Sequence, residues 1–246
     1  RPTTDIYTVS LHDALPIYTP EDFNDPFDCK AHLNFGDTEM VCLRNFEKFN
    51  SSMNIELSED AKLVWTSALK SPRNFNLLYT YSASNYIDKY FKITCFSNIF
   101  NNDLMWSHYA DKHKGIVLKF KKDLNGTLAP NLLPVKYFRK YPIIDIDNIP
   151  KEQLISIIYQ VICSKKKDWK YEMEWRAVNT GNNKLQFYNK SELVGIIFGL
   201  KTNEETKKEI YELINNSGYV NIDFKEAEFD NIKLKVRFKK YIYKKT

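Results

Sequence analysis

The stretch Trp169–Leu200, WKYEMEWRAVNTGNNKLQFYNKSELVGIIFGL, contains three short runs rich in aromatic and β-branched residues. They read as strands near Glu172–Asn179, at Leu185–Tyr188 and at Leu193–Leu200, since such runs bounded by Gly, Asn and Ser suit a pleated surface. The gaps between them are short enough for hairpins or short crossovers. Downstream, a polar helix over Asn203–Asn216 precedes two more strands, Tyr219–Phe224 and Ile232–Tyr243. Upstream, Leu154, Ile155, Ile158, Val161 and Ile162 form an apolar stripe of helical period across Lys151–Lys165.

Farther toward the N-terminus, Lys92–Ser97, Gly115–Phe120 and Leu133–Phe138 read as strands, and Asn102–His113 as a short helix ended by Gly115. Three helices precede them: Thr38–Phe49, Ser58–Lys70 and Pro72–Phe91, with Ser58 a suitable N-cap ahead of Glu59 and Asp60. Tyr18–Cys29 is turn chemistry, with two prolines and with Asp and Asn side chains able to bond the local backbone. Helices and strands cluster instead of alternating. That predicts an α+β fold, a mainly antiparallel sheet with a helical insertion in a single domain.

At 246 residues, 43% apolar and 27% charged, the chain has ample core, too much apolar content for disorder and too much charge for a membrane protein. It contains no run of about 20 apolar residues that could span a bilayer. Its 4 Cys show no paired spacing, so neither a disulfide framework nor a structural zinc site is expected, and Cys95 and Cys163 sit in apolar surroundings. A cytoplasmic globular protein is the expected class. The net charge of +5 rests on Lys, with only six Arg in the whole chain. Abundant Lys, Asn, Ile, Tyr and Phe are what AT-rich codons produce, and phosphate sites favour the Arg fork, so solubility accounts for the charge better than nucleic-acid binding.

Residues Arg1–Ile17, RPTTDIYTVSLHDALPI, have no period, no cap and no Lys or Asn. Ser10–Ile17 is what a common sequencing-library adapter encodes in one frame. Residues 1–17 are therefore expected to be a non-native segment in place of the true start, with 18–246 as the domain, and His12 is set aside as a ligand or base.

No Gly-rich phosphate loop and no nucleophile elbow is present. Costly residues crowd into three segments. In Phe23–Asp28, Asn24 and Asp25 sit between two Phe rings and Asp28 follows the second, either as a structural turn or as a loop offering Asn24 and Asp25 to a polar ligand. In Leu104–Ala110, Ser107, His108 and Tyr109 follow Trp106, a suitable lining for a small-molecule site, although a helical His is also an ordinary packing residue. In Trp169–Arg176, alternation puts Glu172, Glu174 and Arg176 on one strand face and Tyr171, Met173 and Trp175 on the other, the expected core side. The charged face is either a salt-bridge ladder or a catalytic surface. The run Lys233–Lys239 alternates basic and apolar residues, as an edge strand guarded by Lys or a surface that contacts nucleic acid.

FNDPFDC (Phe23–Cys29), CFS (Cys95–Ser97), LMWSHYADKHKGIVL (Leu104–Leu118), the W-x-YEMEWR segment (Trp169–Arg176) and GIIFGLK (Gly195–Lys201) occur in the order of the bacterial domain-of-unknown-function family 2971, which the chain resembles. That family usually opens with a strand carrying an aromatic-Lys-Tyr-Arg run and a second ending in Ser-Ser-Pro. Here the first is absent, and only Tyr18-Thr19-Pro20 echoes the second.

The order of parts is also similar to that of ADP-ribosyltransferases, in which a late Glu stabilises the ribosyl cation left when nicotinamide departs from NAD. Under that analogy the chain is an NAD-consuming enzyme or toxin. Glu174 would stabilise the cation, Glu172 and Arg176 would orient the reacting groups, and His108, Tyr109, Ser107 or Trp106 would line the nucleotide pocket with Asn24 and Asp25. Two other expectations stand beside it. One is a metal-dependent nuclease or phosphoesterase using Asp25, Asp28, His108 and Glu172; the other is a non-catalytic module that binds a nucleotide or a protein. No membrane partner is expected.

Overall fold

The computed structural model describes residues 14–122, 125–128, 132–180 and 185–243. The chain begins β1 (Ala14–Pro16), β2 (His32–Asn34), α1 (Glu39–Met53), α2 (Glu59–Leu69), α3 (Pro72–Tyr90) and β3 (Phe91–Ser97). Next come α4 (Asp103–Tyr109), β4 (Ile116–Phe120), β5 (Leu132–Pro134), β6 (Lys136–Phe138), β7 (Ile143–Asp145), α5 (Ser156–Ile162) and β8 (Ser164–Lys166). It ends with β9 (Glu174–Thr180), β10 (Leu185–Phe187), β11 (Leu193–Phe198), α6 (Glu204–Asn216), β12 (Asp223–Asp230) and β13 (Lys235–Lys240). The fold is α+β. Its residues cluster into two compact units: a sheet unit (the chain through Tyr18, Ile93–Leu133 and Tyr171 onward) and a helical unit (Thr19–Lys92 with Pro134–Lys170).

The sheet unit is built on a four-stranded sheet in the order β13-β12-β11-β4. β11, LVGIIF, is buried along almost its whole length. It runs antiparallel to β4 and parallel to β12, and α6 makes the crossover that a parallel pair requires. Asn203 caps α6 by accepting from the Thr206 N–H, and Ile210 and Ile214 turn into a core with Ile196, Phe198 and Phe224. A three-stranded sheet, β3-β9-β5, and the antiparallel pair β1-β10 complete the unit. The β12-β13 and β4-β11 ladders are antiparallel, and the parallel pairs make the sheets mixed.

Several strand bounds differ from the pattern, β12 most. The strand expected at Tyr219–Phe224 lies at Asp223–Asp230, because Asn221 takes a left-handed φ of 59° and Tyr219 turns into the core to meet the Tyr188 hydroxyl. The acidic run DFKEAEFD forms a strand because its charges pair across the ladder, Glu226 opposite Lys239 and Glu228 opposite Arg237. The adapter-like segment ends inside the fold, since Ala14–Pro16 is β1; Arg1–Asp13, with His12, lies outside the described residues.

The helical unit packs an aromatic core in which Phe35 contacts Phe49, Phe75 and Tyr79, and Trp65 contacts Phe46 and Phe75. Ser58 caps α2, and Thr38 caps α1. Strand β2 pairs in parallel with β7, while α3 serves its other backbone groups: Thr80 Oγ1 accepts from Leu33 N–H and Asn76 Oδ1 from Phe35 N–H. The stripe at Lys151–Lys165 is not one helix. A 3-10 turn over Lys151–Gln153 leads into α5, which stops at Ile162 because Ser164–Lys166 pairs in parallel with β6.

Candidate functional site

In the sheet unit α4 starts from Asn102, whose side chain accepts from the N–H groups of Leu104 and Met105. One turn on, Trp106 is buried; its Nε1 donates to Phe100 O at 2.6 Å, and its ring lies parallel to His113. This anchor fixes which side of α4 faces outward. Ser107 and His108 are exposed, with the His108 ring edge-on to Tyr109, and Tyr109 turns toward β9.

After α4, Asp111, Lys112 and His113 take left-handed φ values of 44°, 54° and 72°. Three such residues in succession without glycine store strain, which persists only where the surroundings over-determine it. Here the Lys201 N–H donates to His113 O at 2.9 Å, and Thr202 Oγ1 donates toward Lys114 O and Gly115 O. Gly199 makes this approach feasible: a Cβ there would lie 2.2 Å from His113 O. The sequence segments LMWSHYADKHKGIVL and GIIFGLK thus lock into each other. His113 Nε2 lies 3.2 Å from Ser107 Oγ, while Nδ1 is buried without a partner. Burial, aided by Lys201 and opposed by Asp103, holds the His113 pKa below its ordinary value.

The segment entering β9 reverses one expectation. Glu172 closes a 3-10 turn, Met173 takes a φ of 45°, and the strand begins at Glu174. Met173 is 49% exposed, whereas Glu172, Glu174 and Arg176 are 3%, 5% and 0% exposed. The charged face, not the Tyr171–Met173–Trp175 face, is the inner one. Trp175 instead carries the Lys122 ammonium over its ring at 4.6 Å.

The buried charges are supplied with partners. Arg176 clamps Glu174 with two parallel bonds, Nε to Oε1 at 2.8 Å and Nη2 to Oε2 at 3.0 Å. Glu172 Oε1 accepts from the Tyr109 hydroxyl at 2.5 Å, and its main-chain carbonyl accepts from Ser97 Oγ at 2.6 Å. The Asn98 N–H donates to Met173 O, so the Cys95–Ser97 strand end holds the turn in place. Two ionisable carboxylates and a guanidinium thus lie inside one sheet face, reached by a phenol from α4.

Asn24 and Asp25 belong to the helical unit. Asn24 is exposed. Asp25 is buried, accepting from Phe27 N–H and from Trp169 Nε1 at 2.7 Å. Asp28 pairs with buried Lys165 at 3.3 Å, and the Lys165 ammonium lies over Trp169. Asp25 and Asp28 lift the Tyr141 hydroxyl pKa, after burial as the main cause, to about 12.

Cys163 is buried as expected, but Cys95 is exposed on β3, where the strand's apolar run reaches its outer side. Among the described residues no three His, Cys, Asp or Glu side chains converge to hold a metal ion. No helix among them is long and apolar enough to cross a membrane. On β13 at the sheet edge, Arg237 pairs with Glu228 and Lys239 with Glu226 and Glu228.

Two residues with unusual surroundings escape a reading of spacing. His113 sits where a helix was expected to end, and only the Gly115 that follows hints at a special turn. Glu192, fully buried, accepts from Thr127 Oγ1 and from the N–H groups of Leu128 and Asn189. These bonds overcome burial and hold its pKa below the ordinary value.

Residues 105–177 match a family described as "Protein of unknown function (DUF2971)". The matched span runs from α4 into β9, and the Tyr109–Glu172 bond joins its two ends. No curated protein and no solved structure matches the chain.

Proposed function

We propose that the sheet unit transfers ADP-ribose from NAD, with Glu172 as the carboxylate that stabilises the ribosyl cation and the Glu174–Arg176 pair as its positioning support. The observation that carries this reading is the meeting of buried charges with the helix of the candidate pocket: Tyr109 of α4 donates to Glu172, and Arg176 on the same segment engages both oxygens of Glu174. A buried carboxylate oriented by a phenol from that helix acts strongly on a cation that develops beside it in a dry site. Burying several charges on a sheet face is costly unless they are paired, and such clusters concentrate at functional sites.

In the proposed step the bond between ribose C1′ and nicotinamide breaks, and its electron pair leaves with the nicotinamide nitrogen. The acceptor's oxygen then bonds to C1′, and His108, exposed on α4, takes the acceptor's proton. Tyr109 and the Trp106-anchored turn line the pocket; Ser107 lies on the same turn of helix.

The test is nicotinamide release from NAD by the full chain, with Glu172→Gln and Glu174→Gln beside it. Glu172→Gln should lower release by about a hundredfold or more, as loss of a preorganised charge does, and Glu174→Gln should have a smaller effect. Release that Glu172→Gln leaves intact rejects the assignment. Absence of both release and an NAD-dependent thermal shift rejects the transferase itself in favour of a binding module with other ligands.

A further inference from the structure

The helical unit contains a cavity of about 470 Å³, lined by β2 and the turn after it, the first turns of α3, and Ile143 of β7. That volume falls in the range of small-molecule sites. Two opposite charges line it, Arg73 and Asp37, and neither makes an ion pair or a side-chain hydrogen bond among the described residues. Both are exposed, as is Arg139, which also makes no ion pair among the described residues, whereas Arg44, Arg176 and Arg237 each pair with a carboxylate. Opposite charges that share a cavity without neutralising each other complement a ligand carrying both signs.

The remaining wall sharpens this. Asn34 Oδ1 accepts from Gly36 N–H and from Asn76 Nδ2, both at 3.1 Å, which sets the amide's orientation and leaves Nδ2 as a donor. Leu77 and Ile143 line the same cavity and are 54% and 70% exposed, apolar surface that a bound group would cover. A dianion such as phosphate would meet Asp37 unfavourably, whereas a carboxylate matches the planar fork of Arg73.

We infer that this cavity binds a free α-amino acid with an apolar side chain. Arg73 and Asn34 Nδ2 take its carboxylate, Asp37 its ammonium, and Leu77 and Ile143 its side chain. The site lies wholly in the helical unit and does not depend on the transferase reading.

Calorimetric and thermal-shift titrations of the full chain test this, with L-leucine, L-isoleucine and L-phenylalanine as probes. Leucinamide, 4-methylpentanoate and inorganic phosphate are the comparison ligands. At least one amino acid should bind and raise Tm, and its amide or deaminated analogue should bind about tenfold more weakly or worse, as loss of a charge-assisted bond implies. Arg73→Gln and Asp37→Asn should each remove the shift while leaving the ligand-free Tm unchanged, because both side chains are exposed and neither makes an ion pair or side-chain hydrogen bond among the described residues. The inference is overturned if none of the three amino acids binds at millimolar concentration, or if binding survives both substitutions. Equal binding of 4-methylpentanoate, or binding of phosphate alone, also overturns it, by reducing the cavity to a general anion site.

Discussion

The Tyr109 hydroxyl donates to Glu172 Oε1 at 2.5 Å, joining the last turn of α4 to the threshold of β9 across 63 residues of sequence. A phenol aimed at a buried carboxylate gives a short, charge-assisted bond. It fixes the carboxylate's direction without cancelling its charge.

Tyr109→Phe removes only that hydroxyl. With its donor gone, Glu172 Oε1 loses partnering inside a low-dielectric site, and stability should fall by about 1–3 kcal/mol. On the transferase reading nicotinamide release should also fall about tenfold, through misorientation of Glu172. Urea unfolding and release measured on the same preparation separate the two effects. A loss of stability with release unchanged would make Tyr109 purely structural.

Arg176→Met removes the guanidinium that bonds both oxygens of buried Glu174 and should cost about 3–5 kcal/mol, while Glu174→Leu combined with Arg176→Met should cost far less than the two single changes together. Denaturant midpoints for the cycle provide the check. Additive losses would show that the pair is not coupled.

At Gly199 an added Cβ would press on backbone atoms, His113 O at 2.2 Å and Gly115 O at 2.8 Å, which have no flexible side chain to swing aside. Gly199→Ala should therefore destabilise by about 3 kcal/mol and displace the left-handed turn at Asp111–His113. Thermal unfolding reads the first effect, and amide exchange at Lys201, whose N–H bonds to His113 O, reads the second.

The His113 pKa lies below its ordinary 6.5, by burial first and Lys201 second. Its linkage has a definite sign: as pH falls below 6.5 the unfolded chain takes up a proton that the folded imidazole resists, so stability declines until the folded pKa is passed. Tm should drop between neutral and mildly acid pH, and His113→Gln should flatten that drop. An unchanged slope in the variant would assign the dependence to other groups.

Elements with strong local chemistry were legible in the chain itself. Ser58 caps α2 as its position predicts, the polar helix expected from Asn203 is α6, and the apolar run of β11 is a buried strand. The three-residue strands β2, β7 and β8 were not, because each depends on a distant partner and carries no alternation long enough to detect. β12 was masked by its acidic composition, which becomes favourable only opposite Lys239 and Arg237. In the candidate site, Tyr109, Glu172, Glu174 and Arg176 could be singled out as unusual residues, but not that Tyr109 would reach Glu172 or that Arg176 would bond both oxygens of Glu174.

Local sequence determines the α+β class, the helix caps and the turn in which Asp25 accepts from Phe27 N–H, since each rests on residues close together in the chain. The inner face of β9 was decided by tertiary structure alone. Tyr171, Met173 and Trp175 alternate with Glu172, Glu174 and Arg176, and local hydrophobicity favours burying the first set. Burying the second becomes tolerable only when Tyr109 arrives from α4 and Arg176 closes on Glu174, because a charge leaves water at bearable cost only where a partner waits for it.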